Sequence, residues 1–252
     1  MRAAKSSLSG ETPSFSDTLT DILDRLEYRR VSIEDQLDPV YRLRYEAYRR
    51  EEFIPANDQQ IVQDEFDGLP NAQCFGVYID GNLVSSLRFH HITPEFRHSP
   101  SHSVFTERVD AILDQGHGCI DPGRFTADYQ ASLLYPAIPF LTLRIVVMAS
   151  HYYGAKYCFS SVRPEHTAFY RRVFRSVPFS EPRFYHGLSF PMILMACDVP
   201  EIYPNLLERF PFFMSTEKER EMMFGQGAAR PTIIPSTARI AQRMRALERM
   251  SA

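Results

Sequence analysis

A chain of 252 residues with 44% hydrophobic and 23% charged side chains has ordinary globular composition and enough length to bury a real core. A formal net charge of −3 excludes a global pull toward nucleic acid or anionic membranes, so any basic surface has to be local. Tryptophan is absent, and aromatic packing falls to 19 Phe and 13 Tyr.

Residues 1–16 are rich in Ser, Thr and Pro and are expected to be mobile. They hold no apolar core of signal-peptide length, so the protein is expected to be cytoplasmic. Asp17 is placed to cap a helix carrying Leu19, Ile22, Leu23 and Leu26 on one face. "YRRVSI" (28–33) alternates as a short strand. A helix follows from about Gln36 to Phe53, with Val40, Leu43 and Ala47 inward and Arg44 and Tyr48 at the edge of that face.

"QCFGVYI" (73–79) and "LVSSLRFHHI" (83–92) are strands joined through Asp80-Gly81-Asn82, a strong hairpin signal. A loop (93–102) leads to the amphipathic helix "VFTERVDAIL", and "GCIDPGRFTA" (118–127) is the next strand. The most apolar window, 133–150, is interrupted by Pro136, Pro139 and Arg144, so it predicts a buried helix rather than a membrane span, running from about Ala137 to Tyr153. "KYCFSSV" (156–162) is a strand that ends in a helix over 163–174 opened by Pro164, and "RFYHGL" with "FPMILMACDV" forms a last strand pair. This order predicts one mixed α/β sheet with helices on both faces over 17–200, followed by a C-terminal helical extension over 201–252. The basic helix at its end sets Ile240, Met244 and Leu247 on one side. That helix is expected to dock back on the domain or to meet a partner or a membrane surface.

Cys74, Cys119, Cys158 and Cys197 are scattered through apolar runs with no Cys-x-x-Cys pair, the pattern of buried reduced thiols rather than zinc ligands. His90, His91, His98 and His102 share a strand and a loop without fixed ligand spacing, so no metal is expected.

Two groups of motifs flank the middle strands. The first is "YRLRYEAYRREEF" followed by "DEFD", then "SSLRF", Phe105 and "IDPGRF". The second is "VRPEHTAFYRRVFRSVPFSEPRFYHGLSFPMILMACDV". Together with the element order they resemble the GNAT acyltransferase fold, in which two central strands splay to admit a thioester. Within that fold they resemble the long-chain N-acyl amino acid synthases, which are related to the acyl-homoserine lactone (autoinducer) synthases. The resemblance spans roughly residues 28–200. It differs from the autoinducer synthases in having no Trp, in carrying Asp121 where Glu is usual, and in the 201–252 extension.

Carried over residue by residue, the resemblance implies a site built from Arg44, Asp64, Asp67, Arg88, Phe105, Asp121 and Arg124. It also implies Tyr170 as the group that protonates the departing sulfur. Amide formation from a thioester needs a carboxylate to take the proton of an amine titrating near ~8. Asp121, Asp64 and Asp67 are the candidates, while Arg44, Arg88 and Arg124 are expected to keep the acids ionised or clamp a substrate carboxylate. The same residues also allow plainer roles: a structural ion pair for Arg44 with Asp64 or Asp67, a strand bulge at Asp121-Pro122, a core aromatic at Tyr170.

After the fourth strand, residues 127–140 contain no glycine and two prolines. This excludes the glycine-rich N–H cradle that coenzyme A-dependent relatives use for pyrophosphate. The expected donor is therefore acyl-phosphopantetheine on acyl carrier protein, with no tightly bound cofactor. Arg163, Arg171, Arg172 and Arg175 offer that acidic partner a basic docking surface, unless they are only a solvated helix face. Residues beside the apolar run Phe140, Leu141, Leu143, Ile145, Val146 and Val147 are expected to line an acyl tunnel. The activity implied is N-acylation of an amino acid, aromatic acceptors being the family-level expectation. The alternatives are lactone synthesis or a non-catalytic regulator that binds an acyl carrier protein or lipid.

Overall fold

The computed structural model of the protein describes residues 14–32, 38–185, 190–225 and 233–251. Most of the segment expected to be mobile, the strand end at Ile33, the helix start at Gln36 and the last residues of "RFYHGL" lie outside these ranges. Helix α1 (Phe15–Leu23) is capped by Ser14 rather than by Asp17. The Ser14 hydroxyl accepts from the Asp17 amide, and the Asp17 carboxylate accepts in return from Ser14, so Asp17 completes the cap from three residues on. Leu26, expected on that helix, already begins strand β1 (Leu26–Arg30). Helix α2 (Pro39–Arg50) has Asp38 as its cap and Arg49 and Arg50 in its last turn, where positive charge suits the helix dipole.

Strands β2 (Ala72–Ile79) and β3 (Asn82–Ile92) form the expected hairpin, with Asp80 and Gly81 both at positive φ as the mirror-image turn requires. Where one helix was expected there are two, α3 (Pro100–Val104) and α4 (Thr106–Leu113), parted at Phe105, whose φ of −119° and ψ of 38° leave the helical range. Strand β4 (Cys119–Ala127) is followed by α5 (Tyr129–Leu134) and the long α6 (Ile138–Tyr152). Strand β5 (Tyr157–Val162) passes through a tight turn at Pro164–His166 into α7 (Thr167–Phe174). Short strands β6 (Val177–Pro178) and β7 (Arg183–Phe184) both pair with β8 (Pro191–Asp198). Then come α8 (Val199–Arg209), α9 (Glu217–Phe224), β9 (Ile233–Pro235) and α10 (Ala238–Ser251).

The sheet runs β6-β8-β5-β4-β3-β2-β1-β9, and every neighbouring pair is antiparallel except β4 with β5. That parallel pair needs the crossover supplied by α5 and α6. It is short: Cys119 pairs with Tyr157 and Ile120 with Cys158, after which β4 stays with β3 and β5 with β8. The sheet therefore opens between Asp121 and Phe159. Helix α6, buried nearly all round, covers one face with Phe75, Phe89 and Ile120. On the other face Phe105, Val109 and Ile112 pack with Ile92, Phe159 and Leu194.

Residues after 200 belong to this fold instead of trailing from it. Strand β9 extends the sheet beside β1, and Phe212 and Phe213 are fully buried. Arg144, the charge that interrupts the apolar window, meets Glu219 of α9 at 2.6 Å with both side chains fully buried, and its remaining N–H groups donate to the Phe212 and Met214 carbonyls. Helix α10 docks through its polar edge: Arg239 reaches Asp21 and Asp24, Gln242 donates to Thr20, and Arg245 and Arg249 reach Glu208. Ile240, Met244 and Leu247 consequently point outward. No helix among the described residues is long and apolar enough to cross a membrane.

Removing one partner of a buried ion pair leaves the other charge uncompensated. Glu219→Ala is therefore expected to destabilise the fold by about 3–5 kcal/mol. Arg144→Met combined with Glu219→Leu should recover most of that loss. Urea unfolding of the two variants beside the wild type measures both.

Candidate active site

Alternation along β3 and β4 puts Arg88, His90 and Asp121 on the face that α2 and α3 cover, since His90 is the register partner of Asp121 and Arg88 that of Gly123. The "DEFD" segment lies against this face as a tight turn, Glu65–Gly68. Its start is capped reciprocally by Asp64, which accepts from the Phe66 amide, and Asp67, which accepts from the Asp64 amide. Punctuation and ion pairing coincide here. Asp67 accepts from Arg44 through both oxygens (2.9 and 3.1 Å) and meets Arg88 at 2.9 Å. Asp64 accepts from Arg88 at 2.5 and 3.3 Å and from Arg124 Nε at 3.1 Å.

Three guanidiniums and two carboxylates thus form one cluster of net charge +1. The Arg44–Asp67 half is sealed, at 0% and 1% exposure, and holds α2 to the sheet; it offers no free edge to a ligand. Burial alone would raise the Asp64 carboxyl, but Arg88 and Arg124 outweigh it and hold the group well below the usual carboxylate range. A carboxyl held that low is a poor proton acceptor near neutral pH. The base role expected for Asp64 does not fit this geometry, and Asp64 acts by fixing the arginines. Arg124 is the cluster's outer member, 26% exposed, with a left-handed φ of 52° and the Tyr48 ring 5.4 Å away. Beside it opens a cleft of ≈ 260 Å³ lined by Tyr48, Arg50, Glu51, Phe53, Phe125 and Tyr129.

Asp121 stands apart from the cluster. It is 2% exposed and accepts from the Ser101 amide (3.0 Å) and the Ser101 hydroxyl (2.6 Å). Between Asp121 and Arg124 lies Gly123, where an added Cβ would meet nothing within 4 Å. The strand is therefore open at Gly123, past the last β4–β5 pair. Phe105 is fully buried against Tyr185, ring centroids 5.9 Å apart, in the apolar layer with Ile92, Val109 and Phe159.

On the α6 face of the parting the lining is apolar. Pro122, Leu143, Val147, Cys158, Tyr170 and Leu206 enclose a seam of ≈ 30 Å³. That is about the room one water needs, so the expected tunnel is present only as a narrow seam. Tyr170 lies on its wall, packed against Phe169 and Phe174, and burial pushes its phenol up to about 12. Arg171, Arg172 and Arg175 are exposed on and just after α7, and among the described residues none has an acidic partner. Arg163 does not join them: it pairs with Glu165 and stacks on Phe190 (4.9 Å) and Phe53 (5.8 Å).

Ser101, Ser161 and Tyr185 are absent from the sequence expectations. A lone hydroxyl in a loop or strand carries no periodic signal, and their meeting is entirely tertiary. The four histidines do not converge: His90 bonds the Phe66 carbonyl, His91 stacks on Tyr153, His98 stacks on Phe66, and His102 meets Asp110.

Residues 39–198 match the family of the N-acyl amino acid synthase FeeM. Comparison with curated proteins gave no match. Among solved structures the chain is similar to FeeM, an N-acyl amino acid synthase from uncultured soil microbes, at 20% identity and a TM-score of 0.58, covering 73% of this chain and 96% of that one. It is also similar to the CoA-dependent acyl-homoserine lactone synthase BjaI (15%, TM-score 0.53, 73% and 89% covered) and to the AHL synthase LasI (10%, TM-score 0.51, 82% and 97% covered). At these identities the likeness speaks for the fold, a mixed sheet of the GNAT acyltransferase type.

The depressed Asp64 carboxyl has a consequence for acid stability. Its folded-state value lies below the unfolded one, so its stabilisation is complete above about pH 4 and is lost as pH falls toward the folded value. The unfolding free-energy gap between wild type and Asp64→Asn should be flat from about pH 7 to 5 and narrow below about pH 4. A gap that holds its size down to about pH 2.5 would remove Asp64 from the ion-pair cluster; urea titrations across that range decide it.

Proposed function

The chain belongs to the FeeM family of N-acyl amino acid synthases, and on that footing we propose that it moves a medium or long fatty acyl group from acyl carrier protein to the α-amine of an amino acid. The observation that carries this reading is the open space at Gly123, past the last β4–β5 pair, with Asp121 and Arg124 beside it along the same strand. An amino acid presents an ammonium and a carboxylate a few bonds apart, and these two side chains are their complements. The adjoining cleft, ≈ 260 Å³ and lined by Tyr48, Phe53, Phe125 and Tyr129, suits an aromatic or large apolar acceptor side chain. It falls short of the roughly 300–1,000 Å³ typical of drug-sized ligands.

In this mechanism the ammonium loses a proton to Asp121, and the free amine attacks the thioester carbon. The C–N bond forms, the C–S bond breaks, and the second amine proton leaves as the thiolate is protonated. The balance is thioester plus ammonium giving amide, thiol and one proton to solvent. Tyr170, its phenol raised by burial, keeps its proton and donates a hydrogen bond to the departing sulfur. A thiol titrating near ~8.5 leaves with no stronger acid. The apolar seam along α6 takes the first carbons of the acyl chain, its walls moving apart as the chain enters. Residues 127–140 lack glycine and so supply no backbone cradle for a pyrophosphate, which favours the carrier protein over coenzyme A as donor.

Lipid-extract mass spectrometry of bacteria expressing the protein tests the reaction. The wild type should add an N-acylated amino acid, while Asp121→Ala and Gly123→Val, both folded by circular dichroism, should not. Absence of any such product from the wild type would favour the non-catalytic regulator, and a lactone product would favour homoserine lactone synthesis.

Charge reversal tests the donor. Arg171→Glu with Arg172→Glu should raise the KM for acyl carrier protein about tenfold or more and leave turnover of an acyl-coenzyme A unchanged. Equal effects on both donors would count against a docking role for α7.

A further inference from the structure

At the mouth of the gap there is a polar link that acyl transfer as described above does not use. Asp121 on β4 and Ser161 on β5 both lie past Ile120 and Cys158, the last residues that tie the two strands. Ser101, the second residue of α3, reaches between them. Its hydroxyl donates to Asp121 Oδ1 at 2.6 Å and lies 2.9 Å from Ser161 Oγ. The Tyr185 phenol donates to Ser161 Oγ at 2.5 Å and lies 3.2 Å from Ser101 Oγ. Ser101 is 1% exposed and Asp121 2%, so water does not compete for these bonds. Among the described residues no other hydrogen bond joins β4 to β5 past Ile120 and Cys158.

The direction of the chain follows from counting protons. A carboxylate only accepts, and each hydroxyl has a single proton to give. Ser101 gives its proton to Asp121, so Ser161 gives to Ser101 and Tyr185 gives to Ser161. The three hydroxyl protons therefore run in one direction toward the carboxylate, which accepts directly from the Ser101 hydroxyl and, at 3.0 Å, from the Ser101 amide. The edge-on contact of Phe105 with the Tyr185 ring holds the far end in place.

We propose that Ser101, Ser161 and Tyr185 are positioning residues for acyl transfer: they hold the Asp121 carboxylate in one orientation at the gap and set the width of the gap between the two strands. The inference rests on Asp121 as the proton acceptor. It assigns work to three residues from α3, β5 and the segment after β7: Ser101 bonds the Asp121 carboxylate, and Ser161 and Tyr185 act through Ser101. Because the link is made of hydroxyls, Ser161→Thr should preserve it, while Ser161→Ala and Tyr185→Phe each remove one oxygen and leave the packing volume nearly intact.

The test uses the full chain, dodecanoyl-loaded acyl carrier protein, and whichever of the twenty amino acids the wild type acylates fastest. Ser161→Ala and Tyr185→Phe should each lower kcat about tenfold and leave the acceptor KM within about twofold. A merely structural role would lower kcat and thermal stability together, so the melting temperature is measured beside the kcat-against-KM split. Ser161→Thr should restore the rate. Wild-type kcat in both variants would overturn the inference, and so would a loss of kcat that follows a lower melting temperature and is not restored by Ser161→Thr. Asp121→Asn separates the two levels. If it keeps wild-type activity, the acceptor role of Asp121 falls; if it is inactive while the hydroxyl variants behave as wild type, only the positioning role falls.

Discussion

A buried guanidinium keeps its charge under every condition the protein meets, and an unpaired one costs several kcal/mol, so the fold has to bring carboxylates to it. Arg44, Arg88 and Arg144 are among the largest fully buried side chains of this protein. Their partners come from elsewhere in the chain: Asp67 and Asp64 from the turn after α2, Glu219 from α9. Two clusters result. The first pins α2, the Asp64–Asp67 turn and the middle strands into one unit. The second locks the C-terminal segment onto α6 and carries β9 to the edge of the sheet. Arg124, at a φ that side chains other than glycine rarely adopt, is held by the same cluster and becomes its only substantially exposed arginine.

With the middle strands held from one side, the parting of β4 and β5 acquires a defined shape. A fully bonded sheet is a wall of backbone between its two faces. Past Ile120 and Cys158 that wall is interrupted, and groups from opposite faces can meet. The faces differ in character: carboxylate, guanidinium and hydroxyls on the α3 side, an apolar seam against α6 on the other. The reaction proposed for this chain would use such a division, because an amine and an apolar acyl chain would each keep their preferred surroundings until the carbonyl and the nitrogen touch.

Much of the architecture was legible from local pattern. Asp80-Gly81-Asn82 set the hairpin and the apolar window set α6, while the family resemblance, not local pattern, marked Arg44, Asp64, Asp67, Arg88 and Arg124, which do assemble. The misreadings share one origin. Phe105 breaks a helix that amphipathic spacing made continuous, because the residue is drawn into the apolar layer against Tyr185. Arg163 looked like part of a basic patch with its neighbours in the chain, but two aromatic rings hold it elsewhere. Residues past 200 lacked strong periodicity because three residues suffice for an edge strand and one glutamate suffices to anchor a buried arginine.

The sequence by itself determined which elements form and which residue types gather near the middle strands, because helix and strand periods, caps and turns depend on neighbours a few residues apart. Only the tertiary structure decided how those charges divide. Asp64 and Asp67 are committed to arginines, while Asp121, close to them by motif, is held by Ser101. Which carboxylate is closed by ion pairs and which is held by hydroxyl and amide donors depends on distances between strands far apart in the chain, and a spacing pattern carries no information about those distances.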